Sequence, residues 1–130
     1  LGLHLFAKGL QYCYDQLPIH LNIHDWGTNL INTNDVIEAV VPIESKTLLW
    51  NTLPVAIKNY SAHDVMMKLD LQGVAVATGS ACSTGAIDVS PVMLALQLPK
   101  NLEACVIRLS FGYLTHQNEL EQLENLFTYY

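Results

Sequence analysis

Apolar positions recur along this chain at two spacings, and the switches between them divide it into elements. Leu3, Phe6, Leu10, Cys13 and Tyr14 follow a helical period and predict a helix over 3–16 that stops before Pro18. Ile19-His20-Leu21-Asn22-Ile23-His24 alternates apolar with polar and predicts a half-buried strand. Residues 25–34 are rich in Asn, Thr, Asp and Gly and predict a loop. Strands are expected over 36–43, limited by Pro42, and over 48–58. Ser61 then caps a helix, with Asp64 completing a capping box, Ala62, Val65, Met66 and Leu69 inward, and Gly73 at the end. Val74 to Ala77 predicts a strand, Ser90-Pro91 a short helix ending before Pro99, and Cys105 to Phe111 a last strand. Thr115 is placed as the cap of a final helix with Leu120, Leu123 and Phe127 inward. The order predicts an α+β fold, helices packed on a small, mostly antiparallel sheet, as a single domain over 1–130.

Composition narrows this picture. Hydrophobic residues make up 51% of the 130 and charged residues 14%, which excludes disorder and leaves little polar cover. Much of the surface is therefore expected to pack against something else. A net charge of −6 with six basic residues argues against nucleic acid as a partner. No apolar run reaches membrane-spanning length, so no membrane partner is expected. Cysteines at 13, 82 and 105 make no CxxC and no metal spacing, which suits a reducing, cytoplasmic compartment. The first residue is Leu1, which reads as a partial chain.

Two residues stand out chemically. Cys82 lies in Gly79-Ser80-Ala81-Cys82-Ser83-Thr84-Gly85, directly after the apolar stretch 73–77. Its neighbours are too small to bury a sulfur and the glycines free the backbone, a setting that presents a thiol for chemistry. An incidental loop cysteine is the alternative. Arg108, the sole arginine, sits inside the apolar strand Val106-Ile107-Arg108-Leu109-Ser110-Phe111. It reads either as a two-pronged grip on a substrate carboxylate or as a structural ion pair or solvent-facing edge residue. The remaining candidates read as bland. Cys13 and Cys105 are small core residues, His20 and His24 share a solvated strand face, and His63 and His116 lie in solvated first helical turns.

Several motifs resemble one family. Asn51-Thr52-Leu53, Leu69-Asp70-Leu71-Gln72-Gly73-Val74-Ala75-Val76, Gly79-Ser80-Ala81-Cys82-Ser83, Ser90, Ala95-Leu96 and Ile107-Arg108-Leu109-Ser110-Phe111-Gly112 look like the C-terminal domain of NifS/IscS-type cysteine desulfurases. These are pyridoxal-phosphate enzymes of the class V aminotransferase fold (fold type I). The resemblance covers 51–130, whereas 25–49 diverge, Trp50 replaces a usual proline and Val89 stands where the cysteine loop often has one.

The resemblance implies that Cys82 attacks the sulfur of L-cysteine and carries it as a persulfide, leaving L-alanine, and that Arg108 binds the substrate α-carboxylate. It also implies pyridoxal 5'-phosphate, a homodimer and a sulfur-acceptor or scaffold protein, as in iron–sulfur cluster biogenesis. The family's cofactor lysine follows a histidine in a large domain; Lys8, Lys46, Lys58, Lys68 and Lys100 follow none. The cofactor is therefore expected on an absent large domain, and this stretch alone is expected to be inactive. Two rivals remain: a non-catalytic thiol domain that relays sulfur or docks, and a class V relative such as a cystine or selenocysteine lyase.

Overall fold

The computed structural model describes residues 7–8, 22–43, 49, 51–79, 91–112 and 114–130. Among them run α1 (Ile23–Thr33), β1 (Ile37–Ala39), β2 (Thr52–Ile57), α2 (Ala62–Leu71), β3 (Ala77–Thr78), α3 (Pro91–Leu96), α4 (Lys100–Glu103), β4 (Val106–Ser110) and α5 (Gln117–Phe127). The strands form one sheet in the order β1-β2-β4-β3. Every neighbouring pair is antiparallel. This is the expected α+β architecture. Ala7 and Lys8 are helical. The rest of the predicted 3–16 helix, Cys13 and His20 lie outside the described residues.

The largest correction concerns α1, which replaces both the predicted end of a strand at 22–24 and the loop over 25–34. Asn22 caps it: its Oδ1 accepts the Asp25 N–H at 3.2 Å, and its Nδ2 donates to Asp25 Oδ2 at 2.6 Å. Ile23, Trp26 and Leu30 then form a buried stripe at helical spacing. The threonines that suggested a loop satisfy themselves along the helix. Thr28 Oγ1 donates to the His24 carbonyl and Thr33 Oγ1 to that of Asn29, each at 2.8 Å. Gly27 lets α1 approach β2, since a Cβ there would stand 2.7 Å from Leu53 Cδ2.

Other boundaries shift less. The expected strand over 36–43 shortens to Ile37–Ala39, and that over 74–77 becomes Ala77–Thr78. The turn α4 before β4 has no counterpart in the expected elements. Ser61 caps α2 as predicted, accepting the Asp64 N–H at 3.1 Å, but the Asp64 side chain returns no bond to Ser61, so the expected capping box is half formed. Gly73 ends the turn beyond the helix at φ +79°. At α5 the cap is His116, not Thr115. The His116 N–H donates to Glu119 Oε2 at 2.6 Å, while Thr115 Oγ1 accepts the Gly112 N–H at 3.0 Å and closes the preceding turn.

Strand alternation assigns the two sheet faces. Leu53, Val55 and Ile57 of β2 and Ile107 and Leu109 of β4 point into the main core with Ile37 and Phe111. Against them pack Ile23, Trp26 and Leu30 of α1, Ala62, Val65 and Leu69 of α2, and Leu120, Leu123 and Phe127 of α5. Trp26 meets Phe111 edge-on at 5.4 Å. Burying each of the larger side chains stabilises by about 1.5–3 kcal/mol. Val106 and Ala56 face the other way, into a smaller cluster with Val40, Met93, Leu102 and Cys105. Cys105 is thus the small core residue expected of it, its Sγ donating to the Asn101 carbonyl at 3.1 Å.

Candidate functional site

Arg108 lies at the centre of β4, and β4 is an interior strand between β2 and β3, so the edge-strand reading of this residue falls. Its side chain is exposed nonetheless. Alternation puts it opposite the three-helix core, on the face that the Met93–Leu102 cluster covers only in part. The register gives its neighbours there: Pro54 directly across on β2 and Ala77 directly across on β3. Both are short side chains that do not roof the guanidinium. Pro54 fits because β1 stops pairing at Ala39↔Val55, so no ladder hydrogen bond on that side is required of it.

The row of pairs along this face runs Ala56–Val106, Pro54–Arg108 and Thr52–Ser110. The first is capped by Met93 and Leu102. At the far end Ser110 is exposed and Thr52 half-buried. Asn51 fastens that end: the Phe111 N–H donates to its carbonyl at 2.9 Å, and its Nδ2 donates to the Phe111 carbonyl at 3.2 Å. The motif residue Asn51 therefore holds β2 to β4 three positions along the register from the Pro54–Arg108 pair.

Cys82 lies outside the described residues, and what the structure places is the approach to it. The chain leaves the sheet at Ala77–Thr78, paired with Arg108 and Ile107. The Gly79 N–H then donates to the Val106 carbonyl at 3.0 Å. A Cβ on Gly79 would stand 3.2 Å from Met93 Sδ and 3.5 Å from Val106 Cβ, so the chain here passes close against α3 and β4. Met93 belongs to α3, which begins at Pro91. The two described ends on either side of residues 80–90 therefore stand against each other. Neither the Gly79–Met93 contact nor the Thr52–Ser110 pair was singled out from the sequence. Strand alternation around Arg108 was the available signal for the second.

Other candidates resolve as structural. His24 belongs to α1 rather than to a strand face, and its Nε2 lies 3.2 Å from the Leu49 carbonyl. His63 and His116 are exposed. No group of three or more metal-ligating side chains occurs among the described residues. A cavity of about 210 Å³ lies along the edge of β4 beyond β3, between residues 73–76 and α5, and Ser110 borders it. On the three-helix side, Lys68 Nζ sits 5.1 Å from the Tyr60 ring and 5.2 Å from that of Tyr130. The Tyr60 hydroxyl donates to the Tyr130 carbonyl at 3.0 Å. Burial, and then the charge of Tyr60, hold the Tyr130 phenol above its ordinary value.

The lysines bear on the cofactor. Lys68 sits over its two rings on the helix side, and Lys8 and Lys100 are exposed on helices. Lys58, half-buried just past the end of β2, continues the alternation of Pro54 and Ala56 four positions from Pro54, and no described lysine follows a histidine. The helices of the described residues include none long and apolar enough to cross a membrane.

A family model of aminotransferase class V matches residues 18–123. A cysteine desulfurase IscS of Dictyoglomus turgidum is 33% identical over 72 residues, 55% of this chain and 18% of its own length. A putative cysteine desulfurase NifS of Bacillus subtilis is 36% identical over 70 residues, 54% of this chain and 18% of its own. The solved NifS-like protein of Rickettsia africae aligns with a TM-score of 0.63 and 19% identity, covering 83% of this chain and 28% of that one. The chain thus spans less than a third of the length of the relatives it matches, and at that identity the structural likeness shows the fold. The chain belongs to the class V aminotransferase family, as a NifS/IscS-type domain.

Proposed function

We propose that this class V chain is the sulfur-handling part of a cysteine desulfurase, with Arg108 holding the substrate carboxylate and Cys82 receiving the sulfur. The observation that carries the proposal is Arg108 itself. It is the sole arginine, exposed on an interior strand, on the sheet face left partly open, and flanked by residues too small to cover it. A guanidinium in that position matches a carboxylate with two parallel hydrogen bonds. The relatives' names support L-cysteine as the substrate.

Covalent geometry supports the second assignment. Cys82 follows Gly79 by three residues, so its Cα lies within about 11 Å of a glycine that is hydrogen-bonded to Val106, two residues before Arg108 on β4. The thiol is therefore tethered near the guanidinium by the chain itself. In the proposed reaction the Cys82 thiolate attacks the sulfur of L-cysteine, an S–S bond forms and the C–S bond breaks. The electron pair left on carbon takes up a proton, so L-cysteine and a thiol become L-alanine and a persulfide. The electron sink that weakens the C–S bond would be supplied by pyridoxal phosphate. Transfer of the sulfur to an acceptor protein completes the cycle. Val92 and Leu94, exposed at 60% and 61% on α3 beside this face, suit a surface that another segment or subunit covers.

Exposing the full-length protein to L-cysteine and mapping thiol modifications by mass spectrometry tests the proposal. A mass gain of one sulfur at Cys82, with alanine release abolished in Cys82→Ala, is the expected result. Alanine release unchanged in that variant would remove the desulfurase reading and leave the lyase one.

A further inference from the structure

The open face is chemically uneven, and the unevenness has a direction. Arg108 stands between two neighbouring pairs on its own face. On one side Ala56 and Val106 lie under Met93 and Leu102, a closed apolar cluster. On the other side Thr52 and Ser110 present hydroxyls, one half-buried and one exposed. A ligand reaching the guanidinium is blocked by apolar cover on the first side and meets two alcohols on the second. Ser110 follows Arg108 by two positions, about 7 Å along the strand, and Thr52 lies directly across from it at about 5 Å.

We infer that Thr52 and Ser110 are substrate-binding residues that donate their hydroxyls to the carboxylate held by Arg108. This rests on the reading of Arg108 as the carboxylate anchor and adds the groups that complete it. A carboxylate offers about four lone-pair sites, and a guanidinium fork occupies two of them. Once water is displaced, the two outer sites need donors, because an unpaired acceptor in a dry site is costly. Arg108 supplies none for them in a bidentate pose. The hydroxyls of the adjacent pair are the nearest donors that the register provides on this face.

Two details make Thr52 suited to the role. Its Oγ1 lies 3.4 Å from Asn51 Oδ1, well beyond an ordinary hydroxyl bond, so its proton is not firmly engaged. Its backbone, in contrast, is fixed, because Asn51 is tied to Phe111 through both main chain and side chain. A loosely engaged donor on a rigid frame reorients toward a ligand without moving the strand.

The experiment compares Thr52→Val, Thr52→Ser, Ser110→Ala and Arg108→Lys in the full-length protein, reading kcat, KM for L-cysteine and the thermal midpoint of each. Thr52→Val and Ser110→Ala are each expected to raise KM about three- to tenfold. Both should hold kcat within about twofold and leave the thermal midpoint unmoved. Thr52→Ser, which keeps the hydroxyl, is expected to retain the parent KM. If Arg108→Lys raises KM while Thr52→Val and Ser110→Ala do not, the hydroxyl assignment is overturned and the anchor stands. If Thr52→Ser behaves like Thr52→Val, or KM changes only with a lowered midpoint, the residues are structural and the inference also fails. If Arg108→Lys leaves KM unchanged, the anchor itself fails and the hydroxyl assignment with it.

Discussion

On one face of the sheet, Leu53, Val55, Ile57, Ile107 and Leu109 meet three helices, and no buried residue among those described is polar. On the other, Pro54, Ala77, Thr52 and Ser110 surround an exposed arginine, and the apolar cover reaches only Ala56 and Val106. The same strands, with the same backbone hydrogen bonds, thus serve both purposes. Side chains that alternate along β2 and β4 send apolar groups to one side for stability and reactive or small groups to the other. The difference teaches where to look for function in a small α/β layer: on the face that folding does not need to close.

Substitutions on the two faces should therefore separate stability from activity. Phe127, fully buried against the sheet, gives the largest expected loss of stability. Phe127→Ala should cost about 3–5 kcal/mol, read as the shift in a urea or guanidinium midpoint. Gly27→Ala drives a methyl group to 2.7 Å from the buried Leu53 and should cost about 1–3 kcal/mol in the same measurement. Asn22→Ala removes the cap of α1 and should cost about 1 kcal/mol. Arg108→Gln, on the open face, should move the midpoint by no more than about 0.5 kcal/mol. A loss there as large as that of Gly27→Ala would erase the contrast between the faces.

The alkaline limb sharpens the comparison further. Tyr130 packs beside Tyr60 and Lys68 on the closed side, and its phenol is held above the ordinary value. Between its unfolded and folded values the native state binds more protons, so stability is unaffected below about pH 10 and falls above it. Tyr130→Phe should flatten that alkaline decline while leaving neutral-pH stability nearly unchanged, as measured by chemical denaturation across pH. An unaltered limb would assign the decline to other groups.

Much of this was legible in the residue pattern, and the exceptions have physical causes. Ser61 as a cap, Gly73, and the Leu120–Leu123–Phe127 stripe carried their own local signals, and the structure places them as expected. The region 22–34 was misread because Asn and Thr usually compete with the helix for backbone bonds. Here Asn22 caps, and Thr28 and Thr33 bond back to their own helix, while the Ile23–Trp26–Leu30 stripe supplies the burial. For the same reason the alternation misled at 22–24, being too short to outweigh a longer helical stripe. At the candidate site, Arg108 was recognisable as a cation within an apolar strand. That β4 is interior, and that Pro54 and Thr52 share its open face, depended on long-range register. No local spacing encodes which strand pairs with which.

The claim on which the account turns is that Arg108 recognises a carboxylate on the open face. Comparing L-cysteine with cysteamine, which lacks only that carboxylate, as ligands of the parent protein and of Arg108→Gln isolates the interaction. The parent should bind L-cysteine about ten- to a hundredfold more tightly than cysteamine, and Arg108→Gln should lose most of that preference. A variant that keeps the full preference for L-cysteine would contradict the assignment and move the carboxylate site elsewhere in the molecule.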